Sequence, residues 1–226
     1  MVKNKKTKQL FSEYFEEWIE LYKVGAVRPI TLKKYYISKQ HLEKLVPDLQ
    51  VCDVTRRSYQ KLLNDYALSH EKQTTMDFHH HLKGAILDAV DDGLIMQNPT
   101  RKIIIKGKAP RKKRPKFLNL YEVQALVKQM NLTTEINWDW FILLILKTGI
   151  RFSEALAITP DDFDFSNQKL TIDKTWDYKS SIGKFQPTKN KSSKRKIQLD
   201  WQTVIQFSEL VKNLEEDKPI FIDRKI

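Results

Sequence analysis

The stretch "LKTGIRFSEALAI", Leu146 to Ile158, decides how the rest of the chain is read. Gly149 interrupts an apolar run, and a second amphipathic run begins at once behind Arg151. A helix start carries unpaired N–H groups and partial positive charge, so a cation there is mildly unfavourable unless an anion sits beside it. A guanidinium stays charged and offers a planar fork of donors that matches two phosphate oxygens. Glu154, one turn on, favours the helix end electrostatically and can hold the arginine's far side, fixing its rotamer before a ligand arrives. A plain surface Arg–Glu pair at i, i+3 would use the same residues, so the stretch has to be read in context.

The 226 residues, 41% of them hydrophobic, can bury one large core or two small ones, and two domains are expected. Lys and Arg number 40 against 28 Asp and Glu, a net charge of +12, which fits a polyanionic partner and nucleic acid first. A single cysteine, Cys52, excludes an internal disulfide framework and points to a reducing, cytoplasmic setting. The most apolar run, "WFILLIL" from Trp140 to Leu146, is far too short to span a bilayer, and no membrane partner is expected.

In the first half, apolar residues from Leu10 to Tyr22 recur at helical spacing. Thr31 can cap a second helix that Pro47 ends, and Thr55 a third with Leu62, Leu63 and Tyr66 inward. A fourth runs from about Thr75 to a Gly93 stop. The stretch "NPTRKIIIKGKAPRKKRPKF" then crowds cations around Gly107, Pro110 and Pro115, too polar to build a core, and reads as a linker. Beyond it, Asn119 and Glu122 suit a capping box for a helix with Val123, Leu126, Val127 and Met130 inward. A buried helix from about Trp138 to Lys147 follows, then a short one from Arg151 to Ile158. Thr159 and Pro160 suit the cap and first turn of another. "KLTIDKT" alternates as a strand with "RKIQLD" as its partner, and Asp200 can cap a last helix.

Three further features bear on chemistry. The run His79 to His81 invites a metal, but consecutive helix residues point in different directions and no Cys or acidic partner stands at ligand spacing; polar histidines on exposed and boundary faces are expected, and no metal is assigned. The basic linker, with Lys106, Lys108, Arg111, Lys112, Lys113 and Arg114, suits a strap along a phosphate backbone, where each neutralised phosphate releases counterions. "FQPTKNKSSKRKIQL", Phe185 to Leu199, adds Lys189, Lys191, Lys194 and Arg195 on what reads as a β-hairpin able to reach a groove and offer a proton to a leaving oxygen. A solvated basic turn is the plain alternative.

Taken in order, these pieces resemble the tyrosine recombinase family of phage and transposon integrases. "FSEYFEEWIELYK" is similar to the first helix of the family's core-binding domain and "AVDDGLIMQNP", Ala89 to Pro99, to its end. "LKTGIRFSEALAITPDDFDF" resembles the segment bearing the first active-site arginine, and "PTKNKSSKRKIQL" the hairpin bearing the active-site lysine. The resemblance implies a mainly α chain: a SAM-like four-helix core-binding domain over 1–106, a basic linker over 107–116, and over 117–226 the first part of a mixed α+β catalytic domain with a small antiparallel sheet. It implies that Arg151 binds the scissile phosphate, that Glu154 supports it, and that Lys189, with Lys191 as rival, is the hairpin lysine; the other cations named above would contact DNA.

In such enzymes a tyrosine forms a 3′-phosphotyrosyl link and frees a 5′-hydroxyl, and because bond energy stays in the covalent intermediate, neither cofactor nor metal is implied. The implied partners are double-stranded DNA at attachment sites, a tetramer of the full-length form on paired sites, and accessory DNA-bending or excision proteins. The sequence departs from the family pattern too. No histidine follows Arg151, so the His-x-x-Arg motif finds no match, and Tyr178, the only later tyrosine, precedes Lys189. The expectation is therefore a fragment that binds DNA without cutting it. A non-enzymatic DNA-binding regulator and an RNA-binding protein are the rivals, the latter without any aromatic-rich RNP-like strand.

Overall fold

The computed structural model describes residues 8–110, 115–179 and 182–222, excepting the Lys191 side chain. The chain divides into two units, Met1–Arg114 and Pro115–Ile226.

The first unit is built on four helices: α1 (Phe11–Tyr22), α2 (Pro29–Leu45), α3 (Arg56–Ala67) and α4 (Lys72–Asp91). The apolar stripe of α1 predicted from spacing is the one that is buried, with Phe11, Phe15 and Ile19 closed over by Leu42, Leu62 and Leu82. Thr55 caps α3, its Oγ1 accepting from Ser58 N at 3.2 Å. Two expected starts move. Helix α2 begins at Pro29 with Arg28 as its cap, because proline loses nothing in a first turn where N–H groups are unpaired anyway; Thr31 already donates to the Arg28 carbonyl at 2.8 Å. Helix α4 begins at Lys72, a turn before Thr75.

Of the three histidines of α4, His80 and His81 lie on the exposed and boundary faces expected of them, and His79 does not. His79 is buried, and its Nδ1 shares a 2.8 Å hydrogen bond with the Tyr59 hydroxyl. Burial first, then His80 and Lys83, push its pKa down to about 4, so it is neutral at pH 7. His81 Nδ1 pairs with Ser38 Oγ at 2.8 Å, and His80 faces solvent.

The basic stretch after α4 buries more than its composition suggested. Residues 103–108 are not free tether: they run extended along the unit, with Ile103 and Ile105 packed on its core, and Lys108 N donates to His70 O at 2.8 Å. Alternation explains this, since an extended chain sends every second side chain the same way: Ile103 and Ile105 are partly covered, whereas Ile104 between them is exposed.

In the second unit, α5 (Leu120–Lys128) has the expected capping box between Asn119 and Glu122. Its expected inward face is not buried: Val127 is exposed, and Val123 and Leu126 only half-covered. Periodicity shows that a helix has an apolar face but not what lies against it. Helix α6 (Trp138–Thr148) is the buried one, and α7 (Phe152–Ala155) ends sooner than Ile158.

The sheet topology is richer than one strand pair. "KLTIDKT" is broken at Asp173 into β2 (Lys169–Ile172) and β3 (Lys174–Trp176), which belong to different sheets. Strand β2 pairs antiparallel with β1 (Phe163–Asp164) and, as expected, with β5 (Arg195–Gln198), Leu170 opposite Ile197. Strand β3 pairs with β4 (Phe185–Pro187), which lies in the sequence between the two expected strands, so β4 and β5 are joined by a loop between two sheets rather than forming a hairpin. Helix α8 (Trp201–Val211), capped by Asp200, covers the core, with Phe207 stacked on Phe163.

Helices α1 and α4 meet where α4 has Gly84, and a Cβ there would stand 2.9 Å from Cζ2 of Trp18. That ring cannot swing away cheaply, because its Nε1 donates to Asp88 Oδ2 at 2.6 Å and Phe15 stacks beside it. Alanine's better helix propensity favours the change by about 1 kcal/mol, but overpacking costs about 1–3 kcal/mol. Gly84→Ala is therefore expected to lower stability by on the order of 1 kcal/mol, read as a lower midpoint in urea.

Candidate phosphate and nucleic-acid site

The backbone places Arg151 before any side chain acts. Helix α6 ends where Gly149 enters the left-handed region at φ 63° and returns its N–H to Ile145 O at 2.8 Å. Ile150 is buried and anchors the turn, and Arg151 follows in extended conformation as the cap of α7. An arginine cannot accept from the helix N–H groups, so only half of a capping box forms: Glu154 Oε2 accepts from Arg151 N at 2.9 Å.

Glu154 is 1% exposed, yet four donors converge on it. Besides the Arg151 N–H, Arg151 Nη1 donates to Oε1 at 2.8 Å, Arg195 Nη2 to Oε2 at 2.8 Å and Arg195 Nη1 to Oε1 at 3.2 Å. Burial by itself would raise this carboxyl's pKa; the hydrogen bonds from Arg195 and then from Arg151 outweigh it and bring the pKa down to about 2. One carboxylate thus serves two guanidiniums, leaving a net positive charge. That charge is presented outward, because the Arg151 side chain is 68% exposed whereas that of Arg195 is 32%. The fork held from behind by Glu154 is set to receive a tetrahedral oxyanion.

Arg195, expected as a DNA contact, is tied to Glu154. The alternation of β5 carried the signal, since Arg195 and Ile197 share the covered face while Lys196 and Gln198 face out, and an inward cation on a strand needs a carboxylate. Lys189 is exposed on the loop between β4 and β5. Asn190 organises that loop: its carbonyl accepts from Thr188 Oγ1 at 3.1 Å and its Oδ1 from Ser192 Oγ at 3.1 Å. Arg195 closes it, donating to Ser193 O at 3.1 Å while holding Glu154. Arg195 thus ties the loop that carries Lys189 to the carboxylate that holds Arg151.

Lys194 is exposed on the same loop, and Lys106 and Lys108 are exposed on the first unit's strap. Arg111, Lys112, Lys113 and Arg114 lie outside the described residues, as does the Lys191 side chain. Sequence reading also missed the surroundings of Arg151: Phe152, beside it, meets the Tyr178 ring edge-on at 5.3 Å, which places that tyrosine in aromatic contact on β3–β4. Among the described residues no three His, Cys, Asp or Glu side chains gather as a metal set, and no helix is long and apolar enough to cross a membrane.

The depressed pKa of Glu154 has a stability consequence whose sign is set by linkage. A carboxyl with a folded pKa of about 2 and an ordinary value of 4.5 contributes stability that is fully present above pH 4.5 and is lost as the pH falls towards 2. The second unit is expected to lose on the order of 2–3 kcal/mol across that interval. Glu154→Gln is expected to flatten the acid limb while lowering stability at pH 7, measured by denaturant unfolding at pH 3, 5 and 7.

No family model matches the chain. The transposase from transposon Tn916 of Enterococcus faecalis is 26% identical over 196 residues, which are 85% of this chain and 46% of that protein, so the chain spans about half the length of the curated relatives it matches. The Tn1549 transposon integrase, solved in complex with a circular intermediate DNA, superposes with a TM-score of 0.72 at 20% identity, covering 95% of this chain and 69% of that one. The N-terminal domain of the prophage pi2 protein 01 (integrase) from Lactococcus lactis is 34% identical, covering 45% of this chain and 96% of that domain, with a TM-score of 0.43. A helical unit followed by an α+β unit with a small antiparallel sheet is the integrase fold, and with these sequence matches the chain belongs to the tyrosine recombinase family.

Proposed function

We propose that the chain is the DNA-binding and phosphate-holding portion of a site-specific recombinase of a mobile element. The observation that carries this reading is the exposed Arg151 guanidinium, held from behind by a buried, ionised Glu154. Duplex DNA is the substrate: cations of the first unit bind its backbone, and Arg151 takes two non-bridging oxygens of the scissile phosphate. Negative charge grows on those oxygens as a nucleophile adds, and a cation fixed in advance stabilises it without reorganising. Lys189, exposed on its Asn190-organised loop, donates the proton that the departing 5′-oxygen needs.

The nucleophilic tyrosine that would form the 3′-phosphotyrosyl link is read as a residue other than Tyr178, which lies before Lys189 in the sequence. The chain therefore binds and positions DNA without cutting it, and the full-length form acts as a tetramer on paired attachment sites. The superposition with the Tn1549 integrase, itself solved on DNA, supports this reading.

The test uses nicked suicide duplexes. This chain is expected to bind them and give no covalent adduct; an adduct through Tyr178 overturns the assignment of a separate nucleophile. In a full-length form, Arg151→Ala is expected to cut strand cleavage by about 10²–10³-fold with binding changed less than about threefold. A full-length form that gives no cleavage with Arg151 in place, and whose DNA binding is unaffected by Arg151→Ala, would favour a non-enzymatic DNA-binding regulator.

A further inference from the structure

The stretch 103–108 is fastened to α3 by an arrangement that neither its charge nor core packing requires. Gln60 Nε2 donates to Ile104 O at 2.8 Å, and Ile104 N donates back to Gln60 Oε1 at 2.8 Å. One side-chain amide thus satisfies both backbone groups of one residue, as a neighbouring strand would. Asn64 Oδ1 accepts from the same Nε2 at 3.0 Å, which sets the amide's orientation. Upstream, Arg56 Nη2 donates to Lys102 O at 3.2 Å. Downstream, Lys108 N donates to His70 O at 2.8 Å, and Gly107 passes so close to α4 that a Cβ there would stand 2.2 Å from Lys72 N. Fastening the backbone decides where the side chains go. Ile103 and Ile105 turn to the core, and Ile104, Lys106 and Lys108 turn to solvent. Alternate residues of an extended chain repeat every ~6.8 Å, a spacing comparable with that of successive phosphates along one strand.

We propose that Gln60 is a positioning residue, with Gly107 as the close-contact point, that holds 103–108 as a pre-formed rail on which Lys106 and Lys108 meet neighbouring phosphates of one DNA strand. The inference rests on the duplex-DNA reading above. Ordering the segment before DNA arrives removes a conformational cost that a loose basic tail would meet on binding, so affinity rises without any added charge.

Positioning and charge leave different signatures in a salt titration of duplex binding by the full chain, followed by fluorescence anisotropy. Removing both lysines (Lys106→Ala with Lys108→Ala) is expected to make the slope of log K against log salt shallower by about 2, because two fewer phosphates are neutralised. Gln60→Ala leaves every cation in place, so the slope should stay as in the wild type while binding weakens about five- to tenfold at each salt concentration. Gly107→Ala should act in the same direction by displacing the rail from Lys72.

In the doubly lysine-free background Gln60→Ala should have no further effect, because there is nothing left to position. Hydrogen exchange checks the clamp without DNA: the Ile104 amide should be protected in the wild type and lose protection in Gln60→Ala. Equal weakening in both backgrounds, unchanged binding by Gln60→Ala, or retained protection of Ile104 would each overturn the proposal. A wild-type chain without salt-dependent duplex binding would instead overturn the DNA reading, and the rail with it.

Discussion

A buried carboxylate that has to be ionised governs the second unit. Taking Glu154 out of water is tolerable only because four hydrogen bonds meet it, and those donors come from separate places: the turn after α6, the Arg151 side chain and the first residue of β5. A helix junction and a sheet edge are thereby joined through one side chain. The arrangement also settles which arginine is available. Arg195 spends its fork on Glu154 and on the Ser193 carbonyl, whereas Arg151 gives up one nitrogen and keeps the rest of its fork towards solvent. A cation that would merely be mobile on the surface is instead held in one pose, which is what oxyanion recognition requires.

Local rules read the helices well where a cap or a stripe had one physical solution. Thr55, Asn119 and Asp200 cap the helices expected of them, and the α1 stripe is the buried one. The pairing of Arg151 with Glu154 was legible too, because i, i+3 on a helical turn brings the groups together irrespective of the rest of the fold. What escaped depends on distant partners. Nothing local to Arg195 names Glu154, which belongs to α7, 41 residues away in the sequence. Nothing local to "KLTIDKT" says that Asp173 divides it between two sheets, so the loop bearing Lys189 was taken for a hairpin. The odd isoleucines of the basic stretch were outweighed by the surrounding charge, and composition concealed a period of two. His79 likewise looked polar, but a neutral imidazole sharing a hydrogen bond with Tyr59 belongs comfortably in a core.

The two units contribute different kinds of positive surface. In the second, an exposed guanidinium, that of Arg151, is held in place by the Glu154 network. In the first, exposed lysines are distributed along an extended backbone, an arrangement that answers to the uniform charge of a polymer rather than to one group on it.

Charged connectors are ordinarily the most permissive part of a gene, accepting insertions and deletions because only their overall character matters. Residues 103–108 depart from that habit. Loss or gain of a single codon there would exchange the two faces, bringing an ammonium group over the hydrophobic interior and an aliphatic chain into water, so natural variation at this place should run through substitutions that keep the count.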